Sequence, residues 1–345
     1  MNLIEETFPV SFPIQTLGVL VVGKLLSSRR ALSWFLISAT LILILACSSD
    51  DEASNVTSSG EAATAVPAKD PVTVTDALGQ AINFEEPPKK IVTLSPTATE
   101  ILYAAGGAAI LRDRASNFPV EAQSLPDAGS AYNPSIEAVV EVQPDLVIIE
   151  ALTQARFVSI LKQSGLKVMA VKAETVDDIT NQIINVGKVI GEEAVANERV
   201  AEITRRLEQV GSSDSRTFLI LISDQDRNLY AARSESYTGL VATTLGLKNK
   251  AEGLPDSGPY PGFSMMSTEA ILMANPDIIV TITPAPEPAP RLSDTITRIP
   301  PFAGLTAVRT RSIFEGDVTL LLQAPGPRIV EAVESLSEGL KFEDR

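Results

Sequence analysis

The chain has 345 residues, 45% of them hydrophobic and 21% charged, with a formal charge of −15, one cysteine and no histidine. Such a length buries one or two sizeable cores, and the acidic balance argues against nucleic acid or an anionic membrane face as partner. Without histidine there is no Ser-His-Asp or Cys-His nucleophile and no His-ligated zinc, copper or haem; with one cysteine there is no disulfide within the chain.

Lys24, Arg29 and Arg30 precede an apolar run at 31–46 that stops at the single cysteine, Cys47. The run falls short of the roughly 20 residues that a spanning helix needs. Positive flank, apolar stretch and abrupt polar onset describe a secretory signal. Ile44-Leu45-Ala46-Cys47 resembles a bacterial lipobox, and Ser28 to Leu32 partly resembles a twin-arginine signal. Residues 1–46 are therefore expected to be a lipoprotein signal, with a true start downstream of residue 1 and Cys47 as the lipidated residue. From 47 to 70 the chain is rich in Ser, Thr, Ala, Asp and Glu, a composition that cannot bury enough surface to fold and reads as a tether.

Folded structure is expected from 71 onward. Two alternating runs around Gly79 predict a hairpin, and Ile91-Val-Thr-Leu94 a strand. Thr97 and Glu100 have the T-x-x-E spacing of a capping box on the helix that follows. The next segment is Ser135-Ile-Glu137-Ala-Val-Val-Glu-Val-Gln-Pro144-Asp145. It recurs as Ser267-Thr-Glu269-Ala-Ile-Leu-Met-Ala-Asn-Pro276-Asp277, 132 residues on throughout (137 to 269, 145 to 277). Each copy predicts a Ser N-cap with a first-turn carboxylate, a short helix broken before proline, and a buried parallel strand. The first lobe ends with a helix at 153–163 and a strand at 167–171. Apolar residues at helical spacing fill 176–210, with a break at Gly191, so a helical connection is expected there. The second lobe, 211–345, repeats the scheme with strands at 217–222, 229–232 and 312–315, a helix at 237–245 and another after Pro327. The fold class is α/β: an N-terminal lobe at 71–175 and a C-terminal lobe at 211–345, both Rossmann-like, joined by one long rigid helical link with a ligand cleft between them.

These features resemble the solute-binding lipoproteins of ABC importers, in particular the family for iron-siderophore, haem and cobalamin uptake. The residues carrying the likeness are Ile91 to Leu102, Ile136 to Val147 and Ser267 to Ile279. The resemblance implies a transport protein, not an enzyme, whose lobes move modestly on capture. It also implies that Glu137 and Glu269, one per lobe tip, engage arginines of the membrane permease. Two carboxylates held at a fixed span suit a two-fold symmetric partner.

Ligands of open α/β sheets sit beyond the carboxyl ends of the strands. The loops there, and those ahead of the repeated helices, offer Tyr132, Asn133, Tyr260, Phe263, Arg291 and Gln323 as ligand contacts. Free metal is excluded by the missing histidines, and basic residues (Arg233, Arg291, Arg328) are scattered. A large, nearly neutral, partly apolar ligand fits best, which favours a corrinoid such as cobalamin, with a ferric siderophore of hydroxamate or catecholate type as the alternative. An enzyme on the same scaffold is a remote third reading, since only unpaired carboxylates are on offer. No catalytic residue, resident cofactor or metal is expected, and the protein is expected to act as an extracytoplasmic, membrane-anchored monomer.

Overall fold

The computed structural model describes residues 71–323 and 325–341. The expected signal, the tether and Cys47 lie outside the described residues. In the N-terminal lobe β1 (Val72–Thr75) and β2 (Ala81–Phe84) form the hairpin. β3 (Ile91–Thr93) leads to α1 (Pro96–Ala104), and α2 (Ile136–Glu141) to β4 (Leu146–Glu150). α3 (Val158–Gln163) leads to β5 (Val168–Val171). The three strands pair in parallel in the order β3-β4-β5. Of the helix expected at 153–163, only the second half is regular: a helical turn at Ala151–Gln154 and a 3-10 turn at Ala155–Phe157 precede α3.

The connection breaks at Gly191 as the spacing indicates, but its two helices fold back on one another instead of running on as one long link. α4 (Val176–Ile190) ends at Gly191, whose φ of 80° is left-handed, and α5 (Glu193–Val210) packs back against it. The corner is tight at Gly187: a Cβ there would lie 2.4 Å from that of Ala196. α4 starts in a complete capping box, with Asp178 N donating to Thr175 Oγ1 at 2.9 Å and Thr175 N to the Asp178 carboxylate at 3.1 Å.

The C-terminal lobe contains β6 (Thr217–Ser223), β7 (Leu229–Ala232), α6 (Tyr237–Thr244) and β8 (Phe263–Met266). α7 (Thr268–Ala274), β9 (Ile278–Ile282), β10 (Ile313–Glu315) and α8 (Ile329–Gly339) follow, with short helices at Leu292–Ile296 and Thr306–Arg309 between β9 and β10. Strand order is β8-β7-β6-β9-β10; β6, β9 and β10 run parallel, β7 runs antiparallel to both β6 and β8, and a short strand at Lys248–Asn249 pairs in parallel with β6 off this path. The lobes therefore differ. The connection from β6 to β7 is too short for a crossover and must make a hairpin.

The duplicated motif is built the same way twice. Ser135 Oγ accepts from Ala138 N at 3.2 Å, and Ser267 Oγ from Ala270 N at 3.1 Å. The residue before each proline, Gln143 or Asn275, takes positive φ (49° and 38°) to turn the chain. Each following aspartate then fastens the neighbouring strand. Asp145 accepts from Lys89 N and Lys90 N, both at 2.8 Å; Asp277 accepts from Thr217 N at 2.8 Å and its hydroxyl at 2.6 Å. Those bonds favour the ionised form and hold both carboxyls below the usual carboxylate range.

Alternate residues of the central strands enter different cores, as both faces of a parallel sheet are covered. Val147 and Ile149 pack outward with Val139 and Leu161, and Leu219 and Leu221 with Ile271 and Phe302. Leu146, Ile148, Phe218 and Ile220 face inward, into one apolar cluster that runs through Ile101, Ile183, Ala196, Ile203 and Val330. That cluster joins both lobes to the helical corner. Arg206 of α5 clamps α8 in addition, reaching Glu331 at 2.9 Å and Glu334 at 2.6 Å. Arg206→Ala removes hydrogen bonds to charged groups worth about 1.5–3 kcal/mol in all. We expect a melting point lower by about 3–8 °C at roughly 2 °C or more per kcal/mol; an unchanged melting curve would show the clamp to be slack.

Candidate functional site

The carboxyl ends of β3 and β4 form the N-terminal rim of the cleft. α1 is capped by Ser95, whose Oγ accepts from Ala98 N at 3.1 Å, and not by the Thr97–Glu100 box that the spacing predicts. Thr97 and Glu100 are buried instead. Buried Gln154 sews the rim together: Nε2 donates to Leu94 O at 2.6 Å and Ala131 O at 2.8 Å, and Oε1 accepts from Glu150 N at 2.9 Å. Tyr132 follows at the tip of a two-residue turn, 63% exposed, its carbonyl held by Arg156 Nη2 at 2.5 Å. Asn133 beside it is exposed.

A second N-terminal loop carries Phe118 (44% exposed) and Val120. Its base is wrapped around buried Arg112, which donates to the carbonyls of Asp113 (2.8 Å), Arg114 (2.9 Å), Ala122 (2.8 Å) and Gln123 (3.2 Å). A guanidinium so fully satisfied fixes the loop's course and the place of its exposed apolar tip.

On the C-terminal rim three rings stack edge to face: Tyr260 lies 5.3 Å from Tyr230 and 6.4 Å from Phe263. Tyr230 Oη donates to Asp224 at 2.8 Å. Hydrogen bonds from Asn228 and then Tyr230 hold the Asp224 carboxyl below its ordinary range. Phe263 is not a free surface ring. Its register opposite Ala232 turns it inward, where it is 2% exposed and supports Tyr260 from below. Arg291 closes on its own loop through Glu287 at 2.7 Å, and Gln323 is exposed after the turn at Thr319–Gln323. Of the expected contacts, Tyr260 and Phe263 are thus brought together. Among the described residues no hydrogen bond or ring contact joins Tyr132, Asn133, Arg291 or Gln323 to them.

The lobes also meet through a polar contact that pattern reading misses. Arg328, at the N-terminus of α8, forks onto Glu100 of α1 with Nε at 3.0 Å and Nη2 at 2.6 Å; the side chains are 12% and 3% exposed. Phe118 covers the guanidinium at 4.2 Å. Burial raises the Glu100 pKa despite Arg328. The neighbouring Tyr237 hydroxyl is buried without a partner, and burial first, then the Glu100 charge, push its pKa up. Only a carboxylate inside an otherwise apolar helix face hinted that Glu100 had a distant partner.

Among the described residues, no group of three or more His, Cys, Asp and Glu side chains could hold a metal, and no helix is long and apolar enough to cross a membrane. Glu137 and Glu269 are exposed in the first turns of α2 and α7.

This chain is 27% identical over 287 residues to an uncharacterized ABC transporter substrate-binding lipoprotein, YvrC, of Bacillus subtilis, covering 78% of this chain and 85% of that one. It is 26% identical over 280 residues to a cobalamin-binding protein of Halobacterium salinarum, covering 77% and 73%. The crystal structure of the periplasmic vitamin B12 binding protein BtuF of Vibrio cholerae superposes with a TM-score of 0.62 at 23% identity, covering 75% of this chain and 99% of that one. Heme-binding and siderophore-binding proteins share the fold as well. The family model for periplasmic binding proteins matches residues 91–319. Two α/β lobes over a common core, each with one copy of the duplicated motif, and the match to the family model over residues 91–319 accordingly place this chain in the periplasmic binding protein family.

Proposed function

We propose that the protein captures a corrinoid between its lobes outside the cytoplasm, held to the membrane by lipid on Cys47, and passes it to an ABC permease that docks on Glu137 and Glu269. One observation carries the choice of ligand: the three arginines offered as anion contacts, Arg233, Arg291 and Arg328, are already matched by carboxylates. Arg328 is held by Glu100, Arg233 lies 3.2 Å from Glu235 and 3.6 Å from Asp256, and Arg291 pairs with Glu287. A polyanionic chelate would have to break such pairs, whereas a broad neutral ligand gains from covering aromatic rings such as Tyr132 and Tyr260 at roughly 25 cal/mol per Å². The cobalamin- and B12-binding relatives support the same reading.

Calorimetric titration with cobinamide, ferrichrome, haem and a ferric catecholate at two salt concentrations tests it. Cobinamide is expected to bind with little salt dependence, and Tyr132→Ala to weaken it by about 1–3 kcal/mol. Tight, salt-sensitive binding of the catecholate alone would overturn the corrinoid assignment in favour of a siderophore, with Arg291 and Arg328 as contacts.

A further inference from the structure

The Glu100–Arg328 pair joins two residues 228 positions apart, one on each lobe, in a bidentate fork. A buried ion pair stabilises a fold little more than an apolar pair of equal volume; what it adds is a fixed geometry. Here the fork sets both the distance and the plane in which α1 and the start of α8 face one another. The Phe118 ring, from the N-terminal lobe, lies 4.2 Å from the guanidinium carbon and adds a cation–π contact to the fork.

We propose that Glu100 and Arg328 form a clasp that sets the resting width of the cleft. When the lobes part, Arg328 travels with α8 and leaves Glu100 and Phe118 on the other lobe. The clasp deepens the capture reading above, but its test needs no ligand, so either can fail without the other.

Amide hydrogen exchange of the purified full chain, resolved by peptide mass spectrometry, distinguishes the clasp from simple packing. Glu100→Gln and Arg328→Gln are expected to speed exchange about tenfold or more in residues 115–123 and in the first turn of α8, leaving β4 and β9 unchanged. Phe118→Ala, which strands no buried charge, gives the same local pattern more weakly and serves if the other variants do not fold. Equal acceleration across all peptides in the three variants would show the pair to be ordinary core cement and overturn the clasp.

Discussion

Cells carrying Glu137→Arg together with Glu269→Arg are expected to lose uptake of the cognate ligand, while the purified variant binds that ligand as the unaltered protein does. Both carboxylates are exposed, one at each copy of the duplicated motif, and each stands on a helix whose cap and following aspartate are rigidly built. Among the described residues no ion pair holds either carboxylate, so reversal costs only the helix-dipole contribution, about 0.3–1 kcal/mol at each first turn. An exposed ion pair contributes only about 0.2–1 kcal/mol, but truncating one that is desolvated at an interface costs about 2–5 kcal/mol. Single Glu→Ala changes should therefore weaken transport roughly tenfold or more, and the double reversal, which adds repulsion from the permease, by at least about a thousandfold. Full uptake by the double variant would remove both residues from the docking surface; loss of soluble ligand binding would move them into the cleft.

Phe263→Ala is expected to destabilise the C-terminal lobe by about 3–5 kcal/mol, the usual range for emptying a buried phenylalanine site. Its ring lies in the inward cluster and under Tyr260, so the cavity opens beneath the aromatic trio. The melting point should fall by roughly 6 °C or more, and Phe263→Leu should recover much of it. Tyr132→Ala gives the contrasting result: the side chain is largely exposed, so thermal stability changes by no more than about 0.5 kcal/mol while ligand affinity falls. If Phe263→Ala melts as the unaltered protein does, the ring is a removable surface group and the inward register of β8 is wrong.

What could be read from the sequence was the chemistry that acts over a few residues. Serine caps, first-turn carboxylates and the Pro-Asp junction place α2, β4, α7 and β9 within a residue or two, and the constant offset between copies reveals the two-lobe plan. The hairpin around Gly79 and the break at Gly191 were visible for the same reason. Longer-range partners were not. Thr97 and Glu100 satisfy a local capping rule, yet Ser95 holds the N-cap and Glu100 turns inward to an arginine 228 residues away. Phe263 sits in a loop-like context of glycine and proline, and only its pairing with Ala232 shows which way the ring points. The break at Gly191 is legible in the stretch after Thr175, but that the second helix folds back on the first shows only in the close approach of Gly187 to Ala196.

The inward cluster shared by both lobes and the helical corner bears on the heat of binding. Separating the lobes widely would expose Ile183, Ala196, Ile203 and Val330 to water, so a large swing between open and closed forms is disfavoured from the start. Capture then dries chiefly the ligand and the rim residues it touches, rather than two whole domain faces. Because the heat-capacity change of binding follows the apolar area removed from water, it should be modest, scale with the size of the ligand across a series of analogues, and stay nearly the same whether or not the clasp residues are present.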